Sequence, residues 1–319
     1  MSKTALLFAG QGAQFVGMGN DLAAQYPTAR ALFDRANSAL GYDLASICFN
    51  GPDAELLKTE HAQPGIYLVS WVAFQILRER VPTLKFQATA GLSLGEFTAL
   101  TAAGVMDFED GLGVVKLRGR AMQEACETTH GAMAAIIGLD EIATRELCAQ
   151  ADVELANLNC PGQLVISGES DKISIACELA KSRGAKRALP LPVAGAYHSR
   201  LMASAQPQLH ASLAAIPLNL PAVTVVSNVT ALPHGVASEI HARLVQQVTA
   251  SVRWEESIRH LLAQGFTRFI ELGPGTALTG FMKRIDKTVQ VLNVSDVASL
   301  ELTVAALSTE SSAATQRDT

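Results

Sequence analysis

A chain of 319 residues, 49% of them hydrophobic, can bury a sizeable core and has room for one large domain or two. Its 25 basic and 30 acidic residues leave a net charge of −5, which argues against nucleic acid as the main partner and leaves room only for a local basic patch. The five cysteines (Cys48, Cys126, Cys148, Cys160, Cys177) are odd in number and hold no Cys-x-x-Cys pair, so neither a disulfide framework nor a zinc site is indicated, and a reducing cytoplasm is the expected setting.

Residues 5–10 form an apolar run too short for a signal-peptide core, and no later run approaches the length of a membrane span, so no export and no membrane partner is expected. Residues 4–9 predict a short buried strand that ends at Gly10-Gln11-Gly12, a turn through which the backbone can approach something closely. A dinucleotide fingerprint would need glycine at position 15, where Phe15 stands, so no such cofactor is expected. Residues 21–40 carry apolar positions at helical spacing and predict one amphipathic surface helix. Pro64 can open a second helix, apolar on most sides over residues 65–77 and therefore buried, with Gln63 just before it.

Residues 86–90 predict a strand that runs into Gly91-Leu92-Ser93-Leu94-Gly95 and then into a segment of helix formers. Strand, Gly-x-Ser-x-Gly turn and helix make up a nucleophile elbow, in which the glycines leave room for a strained backbone that lifts the serine hydroxyl clear of the sheet. The free N–H groups at the start of the following helix suit a developing oxyanion. Residues 110–126 predict a helix with Arg118 near its middle, a position that is usually solvated and carries no functional claim by itself.

From residue 131 the pattern changes to strand 132–138, helix 141–150, strands 153–157 and 163–167 joined by Asn159-Cys160-Pro161-Gly162, helix 171–183 and strand 187–191. This βαββαβ order is ferredoxin-like, a small subdomain at 130–193 inserted into a large α/β-hydrolase-like subdomain at 1–129 and 194–300 with a parallel central sheet. The large part resumes with strands at 223–227, 267–272 and 289–294 and helices at 236–248, 255–262 and 276–285. Residues 308–319 have almost no apolar content and predict a disordered tail.

A serine hydroxyl needs a base within hydrogen-bond reach. His61, His130, His210, His234, His241 and His260 lie in polar or loop-like surroundings that fit surface positions. His198 follows the uncharged residues 193–197, which fits either a base or a satisfied buried histidine.

Five blocks, in order, resemble the malonyl-CoA:acyl carrier protein transacylases, the acyltransferase family of fatty-acid and polyketide synthesis. They are Phe8-Ala9-Gly10-Gln11-Gly12-Ala13-Gln14, the elbow read against Gly-His-Ser-x-Gly-Glu, Arg118-Gly119, Gly195-Ala196-Tyr197-His198-Ser199, and Glu271-Leu272-Gly273-Pro274-Gly275. A further segment from Gln247 to Trp254 is similar to the family's Gln-x-x-x-x-Val-x-Trp. The chain departs from the pattern at Ala9 and Ala13, where proline and serine are usual, at Ser251 in place of a proline, and at Leu92 in place of the histidine before the nucleophile.

The resemblance implies that Ser93 is the nucleophile and His198 its base, with the backbone N–H groups of Gln11 and Leu94 as oxyanion hole. It implies that Arg118 grips the malonyl carboxylate, as its planar fork can. Gln63 then lines the site, although an ordinary polar position is an equal reading of the residue itself. Tyr197 stands beside the acyl α-carbon and disfavours methylmalonyl, and a main-chain carbonyl near Gln247 orients the imidazole in place of an acid. The substrate is malonyl-CoA, the partner an acyl carrier protein, the cofactor none and the metal none, and the protein is expected to be a monomer. The cleft between the subdomains suits the acyl group and its pantetheine arm. Two basic groups, Lys186 and Arg187 beside Lys181 and Arg183, and Lys283 and Arg284 beside Lys287, are candidates for carrier docking or plain solvated helix ends. Leu92 is expected to point away from the hydroxyl, because successive strand side chains alternate between faces. A malonyl-transfer subunit of a decarboxylase complex, a serine thioesterase or acyl hydrolase, and a non-catalytic carrier-binding partner remain as alternatives.

Overall fold

The structure, a computed structural model, describes residues 3–315. Its strands are β1 (Lys3–Phe8), β2 (Ala88–Gly91), β3 (Gly131–Ile137), β4 (Glu154–Cys160), β5 (Gln163–Glu169), β6 (Arg187–Pro190), β7 (Thr224–Val225), β8 (Phe266–Leu272) and β9 (Gln290–Val294). Five of them build a parallel sheet in the order β7-β2-β1-β8-β9. Its middle strand is apolar without alternation, as a strand covered on both faces must be: Leu6 and Phe8 enter one hydrophobic cluster, Ala5 and Leu7 another. Phe8 is in register with Gly91 on one side and Leu272 on the other, so the loops that leave β1, β2 and β8 emerge together at the carboxyl edge of the sheet.

The other four strands form an antiparallel sheet in the order β4-β5-β3-β6. Helices Glu141–Ala151 and Ser170–Ser182 pack on it around Ile136, Leu147, Ile166 and Ala176. Strand and helix follow one another in the βαββαβ order that the sequence predicts. The small sheet joins the rest through β4, where Leu158 N–H donates to the Val252 carbonyl (2.9 Å) and Val252 N–H to that of Ala156 (2.8 Å). Among the described residues no helix is long and apolar enough to cross a membrane.

Several elements differ from expectation. The single helix at 21–40 is two, Asn20–Gln25 and Pro27–Leu40, broken at Tyr26 with extended angles (φ −115°, ψ 116°). A residue before proline is pushed out of the helical region, while proline itself suits a first helical position. The helix expected to open at Pro64 begins at Thr59 and runs to Arg80, so Pro64 lies inside it and Gln63 is a helical, fully buried residue. The predicted strand at 223–227 pairs with β2 only over Thr224–Val225. The helix Val297–Thr315 carries residues 308–315, which the sequence assigns to a disordered tail, and 316–319 lie outside the described residues. Its first turns are anchored by buried Leu300, Thr303 and Leu307, and prolonging a formed helix costs far less than starting one.

Candidate active site

The elbow forms where β2 stops. Ser93 has φ 53°, in the left-handed region, between Gly91 and Gly95. A Cβ on Gly91 would collide with the Gly95 carbonyl, and one on Gly95 with the Phe8 carbonyl, so both glycines are required by close approach. Asn228 braces the turn: its Oδ1 accepts from Ser93 N–H (2.6 Å) and its Nδ2 donates to the Gly91 carbonyl (2.8 Å).

Ser93 Oγ lies 2.7 Å from His198 Nε2, and His198 Nδ1 lies 2.9 Å from the Gln247 carbonyl. A carbonyl only accepts, so Nδ1 carries the hydrogen and Nε2 offers a lone pair to the serine. Burial pushes the His198 pKa down to about 4, the nearby Arg118 charge adds to this, and bonds to the carbonyls of Gln247 and Ala250 oppose it. The imidazole is therefore neutral at neutral pH, which is the form that accepts a proton.

Arg118 turns inward from its helix, Phe108–Thr128, and is 1% exposed. It donates to Gln63 Oε1 (2.6 Å), Gln247 Oε1 (3.0 Å) and Ser93 Oγ (3.3 Å), lies over the Phe97 ring, and has an Nε without a partner. Among the described residues no carboxylate is in ion-pair contact with it. Burial lowers its pKa to about 10, against a pull upward from Glu96, so it remains a cation at neutral pH.

Buried polar groups behind these side chains hold them in place. Glu96, fully buried, accepts from His234 Nε2 (2.6 Å), Asn228 N–H (3.3 Å) and Gln247 Nε2. Gln247 Nε2 also donates to the Ser93 carbonyl (3.0 Å). The expectation of a surface position for His234 is thus wrong: the buried Glu96 carboxylate needs a donor there, and an imidazole supplies one. Among the described residues, neither Gln11 N–H nor Leu94 N–H has an acceptor within the protein. Their loops touch, since a Cβ on Gly10 would collide with Leu92. Leu94 N–H stands at the start of helix Gly95–Ala102.

A cavity of about 220 Å³ opens over Ser93. One wall comes from Gln11, Leu92, Tyr197 and His198, the other from Met133, Asn157, Asn159 and Val165 of the small sheet, with Leu278 and Phe281 also lining it. Glu271 anchors the helix that carries those last two, its carboxylate accepting from Leu278 N–H (3.0 Å) and Thr279 N–H (2.7 Å). Tyr197 shares a hydrogen bond with Thr59 Oγ1 and accepts one from Gln11 Nε2 (3.3 Å); burial raises its pKa to about 12. Gln63 Nε2 donates to Gln11 Oε1 (3.4 Å). Asn159 Oδ1 is buried with no partner among the described residues.

Leu92 packs against the apolar cluster that holds Leu7 and Ala90. It is half-buried on the cavity wall beside Ser93, with its side chain against Gly10. β2 ends at Gly91, so the alternation of a strand no longer governs residue 92.

The two basic groups, far apart in sequence, converge. Arg284 donates to the Pro161 carbonyl (2.9 Å) and Gln163 Oε1 (2.9 Å), Gly162 O accepts from Gly138 N–H (2.9 Å), and Lys186 packs on Gly138. Lys186, Arg187 and Lys283 are exposed and make no ion pair among the described residues, whereas Lys181 and Arg183 are tied to Glu178 and Glu146. All the sequence-predicted site residues except this basic edge therefore meet around Ser93. Glu96, Asn228, His234, Asn157, Asn159 and Thr59 are additions. Only Glu96 had a signal, its place in the elbow motif, and no role followed from it.

Residues 5–307 match the protein family described as acyl transferase domain. A malonyl CoA-acyl carrier protein transacylase of Bacillus subtilis (strain 168) is 44% identical over 315 residues, covering 97% of this chain and 99% of that protein. The crystal structure of a malonyl CoA-acyl carrier protein transacylase from Clostridium perfringens ATCC 13124 is 38% identical, with a TM-score of 0.93 over 98% of this chain and 99% of its own. A type II polyketide-synthase acyl-carrier protein has been solved in complex with its malonyl-transacylase, and that structure is 39% identical with a TM-score of 0.92, covering 95% of this chain and 99% of that one.

Proposed function

Because this chain belongs to the acyl transferase domain family, we infer that it transfers malonyl groups from malonyl-CoA to the phosphopantetheine thiol of an acyl carrier protein. In our reading Ser93 Oγ attacks the thioester carbonyl while His198 Nε2 takes its proton. The oxyanion is held by the N–H groups of Gln11 and Leu94. The C–S bond breaks, the coenzyme A sulfur takes the proton from His198, and a malonyl-serine ester remains. The carrier thiol then gives its proton to His198, attacks the ester carbonyl, and leaves with the malonyl group as Ser93 recovers its proton. Such two-step chemistry requires that water be badly placed relative to the thiol.

The observation that carries this reading is Arg118: a guanidinium with 1% exposure, 3.3 Å from the attacking oxygen, with no carboxylate in ion-pair contact among the described residues. A buried charge without a counter-ion is costly, and an incoming malonate carboxylate removes that cost. A hydrolase of neutral acyl groups has no use for it. Tyr197, fixed by Thr59, stands where a methyl on the acyl α-carbon would arrive, and a misfit of one carbon shifts discrimination by roughly 1–3 kcal/mol. We read residues 130–193 as an inserted subdomain whose Asn157 and Asn159 face the amides of the pantetheine arm. Lys186, Arg187, Lys283 and Arg284 form the edge that meets an acidic carrier. The five cysteines are buried and free, which supports a reducing cytoplasm as the setting.

The test is competition. The protein is offered malonyl-CoA, acetyl-CoA and methylmalonyl-CoA together, the acyl mass on Ser93 is read, and carrier protein or buffer alone is then added. Malonyl should dominate and should leave far faster with carrier than with water. Dominant acetyl loading, or hydrolysis that outruns transfer, would contradict the reading.

A further inference from the structure

Glu96 does not line the cavity, yet every reactive group around Ser93 is linked to it through one residue. Gln247 is that link. Its Oε1 accepts from Arg118 (3.0 Å), its Nε2 donates to Glu96 and to the Ser93 carbonyl (3.0 Å), and its main-chain carbonyl accepts from His198 Nδ1 (2.9 Å). The two ends of a carboxamide have nearly the same shape, so only its partners decide which way it faces. Arg118 can only donate and a carboxylate can only accept. With both in place, one orientation satisfies all the bonds and the other opposes donor to donor and oxygen to oxygen.

We propose that Glu96, held by His234, is a positioning residue for malonyl transfer: it sets the Gln247 carboxamide with its oxygen toward Arg118, and so aims the guanidinium at the acyl carboxylate. The proposal rests on the malonyl reading above. Three features carry it. Glu96 and Gln247 are fully buried, so water cannot substitute for either. The Glu96 carboxylate is held in its own turn by His234 Nε2 (2.6 Å) and Asn228 N–H (3.3 Å). Among the described residues His234 Nδ1 has no partner, so nothing else dictates which ring nitrogen carries the hydrogen. In Glu96→Gln, therefore, the new carboxamide can present its oxygen to Gln247 and Asn228 and its NH2 group to a His234 that has moved its hydrogen to Nδ1. That variant keeps the orientation, whereas an apolar residue of similar size releases it.

The experiment compares loading of Ser93 from malonyl-CoA and from acetyl-CoA in the parent, Glu96→Gln, Glu96→Met, Gln247→Met and the Glu96→Met/Gln247→Met double variant. In Glu96→Met the malonyl-to-acetyl ratio should fall by about tenfold or more, chiefly through malonyl, because acetyl makes no use of Arg118. Glu96→Gln should keep the ratio within about threefold of the parent. In the double variant the Glu96 change should add nothing to the loss already caused by Gln247→Met. An equal fall for both substrates in Glu96→Met, or a Glu96→Gln variant as unselective as Glu96→Met, would overturn the proposal. If Glu96→Met does not fold, Gln247→Met decides: it must lose the ratio, and an unchanged ratio overturns the idea. Failure of the malonyl reading is distinguishable, since a parent that loads no malonyl condemns that reading alone. The orientation is then read without substrate from the Gln247 side-chain NH2 resonances, which must move in Glu96→Met and stay near their parent positions in Glu96→Gln.

Discussion

Arg118 and Arg284 each donate hydrogen bonds to uncharged oxygens, but they sit in opposite environments. Arg118 is sealed beneath Ser93 with Gln63 and Gln247 as partners. Arg284 lies on the exposed edge beside Lys186, tied to Pro161 and Gln163. The first belongs to a region where water is excluded, each partner has one orientation, and loss of a single group leaves others unsatisfied. The second belongs to a region where solvent replaces lost partners and salt weakens every charge. Charge in this molecule therefore sits in two settings, buried under the elbow and solvated at the edge.

The largest effect that separates the two regions should come from His198→Ala. Removing a positioned base costs on the order of 10²–10⁴ in rate, so acyl loading should collapse in a rapid-quench assay. A loss below about tenfold would deprive the buried region of its special standing. Arg118→Ala comes next: malonyl loading should fall by roughly 10²-fold, a few kcal/mol, while acetyl loading rises relative to it. An unchanged ratio of the two would put Arg118 on the same footing as Arg284.

Acid should sharpen the contrast. The folded pKa of His198 lies near 4 against an ordinary 6.5, so the folded protein resists protonation at that site. Loading should hold as pH falls through 6.5 and drop only on approach to about 4. The unfolded chain takes up that proton at higher pH, so the stability contributed by a neutral buried His198 is complete above 6.5 and is lost as pH falls toward 4. A pH–rate profile with its acid limb near 6.5 would contradict the burial argument.

Smaller effects are expected outside the buried shell. Charge reversal at Lys186 and Arg187 should raise the carrier KM by about tenfold at low salt, shrink as salt is added, and leave loading from malonyl-CoA unchanged. Loading and transfer falling together would move that edge from steering into the fold or the coenzyme A site. Leu92→His should change kcat by less than about tenfold, a barrier shift under about 1.4 kcal/mol, because the side chain is half-buried on the cavity wall and an imidazole there keeps contact with water. Restoration of fast transfer in an otherwise inert natural protein would show that residue 92 tunes the chemistry.

What the sequence made legible was local. The elbow could be read because Gly91, Ser93 and Gly95 act within one turn, and the small sheet because each strand and helix carries its own periodicity. The break at Tyr26 had a signal in Pro27, but the apolar spacing on either side outweighed it. Arg118 could not be placed from its helix alone, since inward and outward arginines look alike until the partner helix is known. The support beneath Ser93 was invisible for a simpler reason: Glu96 meets Asn228 and His234 across separations of 132 and 138 residues. No pattern in a single sequence reports that contact.

The central claim, that Ser93 carries the malonyl group between two thiols, is tested most directly by peptide mass after a brief incubation with malonyl-CoA, in the natural protein and in Ser93→Ala. The account predicts a malonyl mass on the peptide that contains Ser93, absent in Ser93→Ala and lost from the natural protein when acyl carrier protein is added. A malonyl adduct that persists in Ser93→Ala, or one on Ser93 that carrier protein cannot remove, would contradict it.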